Sequence, residues 1–239
     1  MLVAAAVCPH PPLLVPGLAA GATGELDGLR TACNEAVARL LEAEHDLLVV
    51  VGAAPAVGPF PSGAWGSLRA YGGKVDVPAG DGEPTLPLAL TIGQWLLGRS
   101  AAVGAAEPLL FGVAPDAEPQ RCLVLGETLA GRAGRVAMLV MGDSSGRRTP
   151  KPGYLDERAE PFDDLVAAAL RDGNPEALAA VDADLADELL AAGRPAWQVL
   201  AGAASGREWE GAVTYAAAPY GVAYLVATWT PAGAGAGTE

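Results

Sequence analysis

The chain has 239 residues, a formal net charge of −13 and an apolar fraction of 51%, which is long enough for one large domain with a substantial core. The acidic excess argues against a nucleic-acid partner, because binding to phosphate backbones needs a clustered Lys and Arg surface. No apolar run approaches the roughly 20 residues that span a bilayer, and the first residues lack the positive region of a signal peptide. We therefore predict no membrane association.

The three cysteines are an odd number at wide spacings: Cys8, Cys33 and Cys122. This pattern fits neither a disulfide framework nor a paired-cysteine zinc site. A reducing compartment suits such a chain, so we expect a cytoplasmic protein.

Strand-like and helix-like segments alternate along the first 141 residues. Short, continuous apolar runs predict buried strands at residues 2–7, 47–51, 109–113 and 136–141. Apolar residues at helical spacing predict helices at residues 25–43, 86–99 and 118–132. This alternation is typical of an α/β fold with a mostly parallel central sheet and helices on both faces.

The pattern changes beyond residue 141. The polar, proline-containing segment 142–156 predicts a long ordered loop or a lid. Helices are predicted at residues 157–171, 175–181, 182–192 and 195–204, with Asn174 and Asp182 as N-caps. Two β-rich runs, 212–218 and 222–230, predict an antiparallel C-terminal hairpin. We therefore expect a single domain over residues 1–230 and a disordered tail over residues 231–239.

Polar side chains cluster in the segments that follow the predicted strands. Ligands of open α/β sheets bind beyond the carboxyl ends of the strands, which here are followed by segments 9–17, 52–60 and 142–154. The polar members of these segments are His10, Asp143, Ser144, Ser145, Arg147 and Tyr154.

The chain contains only two histidines, His10 and His45, so it cannot build a histidine-rich metal site. The prolines around His10 would hold its imidazole rigidly at the mouth of the sheet. There it is either a functional group or a ring that bonds a nearby carbonyl to close a stiff loop. His45 falls at a helix–strand junction at the opposite end of the sheet, where we expect a solvent-facing or capping role.

Two proline-containing segments carry a family pattern: Cys8-Pro-His-Pro-Pro-Leu-Leu-Val-Pro16 and Gly142-Asp-Ser-Ser-Gly-Arg-Arg-Thr-Pro-Lys-Pro-Gly-Tyr154. Together they resemble the class III extradiol dioxygenase superfamily, the LigB-like fold of aromatic ring-opening dioxygenases that also contains the MEMO-type proteins. Segments 162–173 and 197–203 look similar to the helices that follow in that family. The resemblance covers nearly the whole chain and implies a LigB-like domain.

In that superfamily two histidines and a glutamate hold ferrous iron, and a further histidine acts as acid and base. The resemblance implies that His10 is the first ligand. The second histidine would be expected after the second strand, where the chain has Ala53 and Ala54, and the acid–base histidine where Ser145 and Gly146 stand. The glutamate would be expected near residues 192–195, where no carboxylate occurs. The loops are kept while three of the four functional positions depart from the pattern.

We therefore expect a catalytically degenerate LigB-like protein, a pseudoenzyme that binds a small molecule or a protein partner and needs no cofactor. In this interpretation the pocket beside His10 is lined by Cys8, Ala54, Arg147 and Tyr154.

Two alternatives stay open at this point. The first is an enzyme: a divergent dioxygenase or oxidoreductase that uses Fe(II) or Zn at His10, or a hydrolase that uses His10 and Asp143 with Ser144 or Ser145. The second is a homo-oligomer in which a partner chain supplies the missing groups across an interface.

Overall fold

The apolar runs of the sequence form one mixed sheet in a computed structural model that describes residues 1–18, 24–78, 80, 82–100, 107–151 and 154–233. The strands are β1 (Leu2–Cys8), β2 (Leu47–Ala53), β3 (Gly58–Pro59), β4 (Gly66–Ser67), β5 (Asp76–Val77), β6 (Leu109–Val113), β7 (Val136–Met141), β8 (Trp209–Ala217) and β9 (Tyr224–Pro231). The helices are α1 (Asp27–Glu42), α2 (Leu88–Leu97), α3 (Pro119–Ala130), α4 (Ala159–Arg171), α5 (Pro175–Ala179), α6 (Ala183–Glu188) and α7 (Arg194–Ala204).

The seven-stranded sheet has the order β3-β6-β2-β7-β1-β9-β8. The four central strands β6, β2, β7 and β1 are parallel, and β9 joins β1 antiparallel. β8 and β9 form the C-terminal antiparallel hairpin, while β4 and β5 make a separate two-stranded ribbon. The predicted α/β fold class is confirmed.

Side chains of the central strands alternate between two cores, as the period of a β-strand requires. In β1, Ala5 and Val7 belong to the core that α3, α4 and α7 cover. Ala4, Ala6 and Cys8 belong to the opposite core, which α1 and α2 cover. Because both faces of the sheet are covered, the central strands are apolar at every position, which explains why continuous apolar runs identified them. None of the described helices combines the length and the apolar composition needed to cross a membrane.

Differences from the predicted elements lie where periodicity is weak. β3 pairs antiparallel with β6 within segment 52–60, where no strand is predicted. α6 ends at Glu188, before the predicted residue 192, because Leu190 adopts a left-handed φ of 59°, a conformation that commonly ends helices. β9 includes Pro231, the first residue of the predicted tail, and residues 234–239 of that tail lie outside the described residues.

The helices α3 and α7 pack closely because glycines lie at their contact. A Cβ built on Gly202 would overlap the backbone carbonyl of Leu123, and one built on Gly126 would overlap the carbonyl of Val199. Backbone atoms cannot turn aside as a flexible side chain can, so both positions tolerate only glycine. The α3–α7 pair therefore depends on two residues that helix propensity alone disfavours.

We predict that Gly202→Ala lowers the free energy of unfolding by about 2–3 kcal/mol, because the backbone overlap outweighs the gain in helix propensity. The measurement is urea denaturation followed by circular dichroism. Gly131→Ala is the matched control: Gly131 ends α3, and its added Cβ would meet only ordinary contacts at 3.5 Å or beyond. Equal stability of the two variants would contradict this account of the interface.

Candidate functional site

The carboxyl ends of the parallel strands are aligned in register. The row across β1, β7 and β2 consists of Cys8, Met141 and Gly52. Two residues beyond this row the chain reaches His10, Asp143 and Ala54. Neighbouring strands lie about 4.8 Å apart, so the first two residues are neighbours. Ala54 follows a strand that lies two spacings away, about 10 Å from the chain at His10.

His10 and Asp143 contact each other directly. The backbone N–H of His10 donates to Oδ1 of Asp143 at 2.7 Å, and the imidazole Nδ1 lies 3.6 Å from the same oxygen. The imidazole is 9% exposed, and within the described part of the chain its Nδ1 has no hydrogen-bond partner. An unpaired buried polar atom costs about 1–3 kcal/mol. Nδ1 is thus a buried polar atom that lies beside the carboxylate of Asp143.

Tyr224, the first residue of β9, belongs to the same edge of the sheet and was not predicted as a site residue. Its side chain is buried, and burial together with the charge of Asp143 raises the pKa of the phenol well above its usual value. The phenol therefore stays neutral and cannot act as a base near neutral pH. The sequence offered no signal for it, because its position depends on the pairing of β9 with β1.

The loop after β7 is fixed by a buried carboxylate on α4. Asp163 accepts hydrogen bonds from the hydroxyl of Ser144 at 2.6 Å, the hydroxyl of Ser145 at 2.8 Å and the backbone N–H of Ser145 at 2.9 Å. The guanidinium of Arg148 lies 3.0 Å from the second oxygen of the same carboxylate. These bonds satisfy Asp163 in a site where its side chain is only 6% exposed.

This network gives Ser144 and Ser145 hydrogen-bond partners other than those that the hydrolase hypothesis requires. Both serines are fully buried, and both hydroxyls donate to Asp163 rather than to the imidazole of His10. A serine nucleophile needs a base that accepts its proton and a surface that a substrate can reach. The two serines are therefore positioned as anchors of the loop.

Two of the four predicted pocket-lining residues, Cys8 and Ala54, are buried within the fold. Cys8 is fully buried in the core beneath α1, where it has no surface with which to line a pocket. A hydrogen bond with Cys8 and, second, burial raise the pKa of the Cys33 thiol well above its usual value. This thiol therefore stays protonated. Ala54 is buried, and its backbone N–H donates to the carbonyl of Val113 on the neighbouring strand.

The two remaining predicted residues lie on the loop surface. Tyr154 is 61% exposed and makes a backbone turn with Lys151. Arg147 donates through Nε to the carbonyl of Glu188 at 3.4 Å. Residues 152 and 153, within the segment predicted to be an ordered loop or a lid, lie outside the described residues.

Arg194 occupies the segment in which the family resemblance places a glutamate. Its guanidinium is buried and donates to the carbonyls of Pro115 and Ala117 and to the side chain of Gln198. These bonds connect the segment after β6 to α7. The cation thus has a structural role at the carboxyl edge of the sheet.

The residues present do not fit a ferrous facial triad. Such a site needs two imidazoles and a carboxylate with open positions. The His10–Asp143 pair offers two metal-ligating groups, and the segments in which the resemblance implies further ligands hold Ala53 and Ala54 after β2 and no carboxylate at residues 192–195. In the described ranges, no group of three or more His, Cys, Asp or Glu side chains is arranged to hold a metal ion. His45, at the opposite edge, contacts the carbonyl of Ala43 through Nδ1 at 2.7 Å.

Little of the His10 imidazole is exposed to a ligand. A cavity of about 690 Å³ lies on the opposite edge of the sheet, between Met1, Leu2 and Trp209. The imidazole itself reaches solvent only through its small exposed fraction. A ligand that contacts it must therefore insert a small polar group rather than a whole aromatic ring.

No family model matches the chain, and no curated protein matches its sequence. Among solved structures, the fold is similar to the crystal structure of uncharacterized protein JW3007 from Escherichia coli K12, with a TM-score of 0.57 and 12% sequence identity. The alignment covers 95% of this chain and 99% of that chain. At this identity the likeness shows a shared fold alone.

We predict that Asp163→Asn destabilises the protein by about 3 kcal/mol, because the amide nitrogen cannot accept a hydrogen bond from a serine and Arg148 keeps only the exposed Glu160 as its counter-charge. Asp164→Asn, at the exposed neighbouring position, should change stability by less than about 0.5 kcal/mol. Thermal unfolding of both variants measures the difference. A negligible effect of the first substitution would mean that the loop does not depend on this carboxylate.

Proposed function

We propose that this chain is a LigB-like protein, related in fold to the MEMO-type proteins, that does not carry out iron-dependent ring cleavage and acts as a binding protein. One observation carries the proposal: His10 stands beside Asp143, and within the described residues no third His, Cys, Asp or Glu side chain joins them in a metal-binding group. A single imidazole with one carboxylate cannot hold ferrous iron and leave positions open for a substrate and dioxygen. The term pseudoenzyme describes such a chain.

The chemistry of the pair indicates what the site binds. A carboxylate accepts hydrogen bonds, and an imidazole can accept or donate according to its protonation. The pair therefore suits a small polar group, such as an amide or a hydroxyl, that forms one hydrogen bond with each partner. Because the loop around Asp143 is anchored through Ser144, Ser145 and Asp163, the two groups are held in place before a ligand arrives.

The hydrolase alternative has one supporting observation, the contact of an imidazole with a carboxylate that could orient it. It lacks a nucleophile, since the nearby serines donate to Asp163. We accordingly favour binding over hydrolysis.

A cytoplasmic location belongs to the same proposal, because Cys8, Cys33 and Cys122 are free thiols and free thiols persist in reducing compartments.

We predict that freshly purified protein contains less than about 0.1 iron or zinc per chain and that a chelator leaves its melting temperature unchanged, because the ligand set is incomplete. Elemental analysis and thermal unfolding with and without EDTA are the measurements. His10→Ala should leave the metal content at the same low level.

His45→Ala is the matched control, because it removes the other imidazole far from the site. Stoichiometric metal that is lost in His10→Ala and retained in His45→Ala would refute the proposal in favour of a metal enzyme. Metal that is present only in an oligomer, as sedimentation would reveal, would favour ligands supplied by a partner chain.

A further inference from the structure

A groove unrelated to the His10 edge lies between the first half of α4 and the segment that leads into α6. Its volume is about 450 Å³. The floor is apolar and is formed by Phe162, Leu165, Val181 and Leu185. Phe162 and Val181 are buried in the core, whereas Leu165 is 53% exposed. The apolar floor thus combines packed core side chains with one large side chain, that of Leu165, which is half exposed to solvent.

The rim of this groove is acidic. Glu157 and Asp182 line it and are exposed. The one cation on the rim, Arg158, is neutralised, because its guanidinium pairs with Asp156 at 2.7 Å and with Glu188 at 2.7 Å. The Arg158 guanidinium holds the pKa of Asp156 at about 2, so that this carboxylate stays charged. The apolar floor is therefore framed by net negative charge.

The segment that builds the groove is acidic as a whole. Eleven Asp and Glu residues, of which Asp163 is buried and paired with Arg148, and only two Arg residues lie between positions 154 and 190. Most of the net charge of −13 is thus concentrated in the segment that builds the groove. A second copy of the chain would bring the same acidic surface against itself, which like-charge repulsion disfavours. A partner with an apolar stripe flanked by positive charge is complementary to both the apolar floor and the acidic rim.

We propose that this groove binds a basic amphipathic helix of a partner protein. A groove between two helical segments suits a third helix, whose apolar residues at positions i, i+3 or i+4, and i+7 enter the floor. Lys and Arg on its flanks then face the acidic rim, which steers the encounter and sets the orientation. The inference concerns a surface separate from His10 and stands whether or not the His10 site binds a ligand.

The test uses a synthetic peptide of about 18 residues, long enough for five helical turns, with Leu on one face and Lys elsewhere. Fluorescence anisotropy with the full-length protein at low salt measures its affinity. We expect a micromolar Kd, and a loss of about tenfold when salt rises from roughly 50 to 500 mM, because rim charges are screened. A scrambled peptide of the same composition should bind about tenfold more weakly, since it has no apolar stripe.

Two neutral, matched substitutions locate the binding surface. Leu165→Gln should lower the affinity for the helical peptide about tenfold, because the groove loses one apolar contact. Val124→Gln removes an apolar residue of similar exposure, 51%, from α3. The Kd of this variant for the peptide should stay within about twofold of that of the unsubstituted protein. His10→Ala should also leave it unchanged, which separates this result from that of the proposed function.

Several outcomes would overturn the proposal. Equal affinity for the helical and scrambled peptides would show that charge attraction alone is measured. Equal affinity of Leu165→Gln and the unsubstituted protein would place the peptide elsewhere. Sedimentation could instead reveal a concentration-dependent dimer that Leu165→Gln abolishes, which would mean that a second copy covers the groove. If the helical peptide does not bind at roughly 100 μM protein, the groove does not bind a basic amphipathic helix.

Discussion

The carboxyl edge of the sheet depends on one buried charge, the carboxylate of Asp163. This side chain lies on α4, outside the sheet, yet it accepts the hydrogen bonds of Ser144 and Ser145. A buried carboxylate is stable only when it is paired and hydrogen-bonded, and here the loop after β7 supplies those partners. The loop is consequently fixed at the position where the preceding Asp143 meets His10.

The β8–β9 turn completes this arrangement. The backbone N–H of Ser144 donates to the carbonyl of Ala223, and the N–H of Ala223 donates to the carbonyl of Ser145. A Cβ at Gly221 would overlap the side chain of Thr149, so the turn lies directly against the loop. Three separate elements, the segment after β1, the helix α4 and the C-terminal hairpin, therefore hold one short loop. Such a site is rigid before binding, which favours recognition of a defined small group.

The sequence predicted the centre of the fold well because both faces of the sheet are buried. Continuous apolar runs are sufficient to identify strands in that environment, and His10 and Asp143 fall together because each follows a strand end by two residues. The role of the serines could not be assigned in the same way, since their partner Asp163 is 18 and 19 residues further on. One signal was present: Asp163 falls on the apolar face of α4 with Phe162, and a buried aspartate requires partners.

The residues at the positions of the absent ligands have packing roles of their own. Ala54 lies so close to the strand β6 that a Cβ built on Gly112 would lie 2.5 Å from the Ala54 side chain. The guanidinium of Arg194 donates hydrogen bonds to the carbonyls of Pro115 and Ala117. An imidazole at position 54 would need space that β6 and the chain beside it already fill. A carboxylate at position 194 would leave those carbonyls without donors. Changing either residue to a metal ligand would therefore cost stability before it gained a metal.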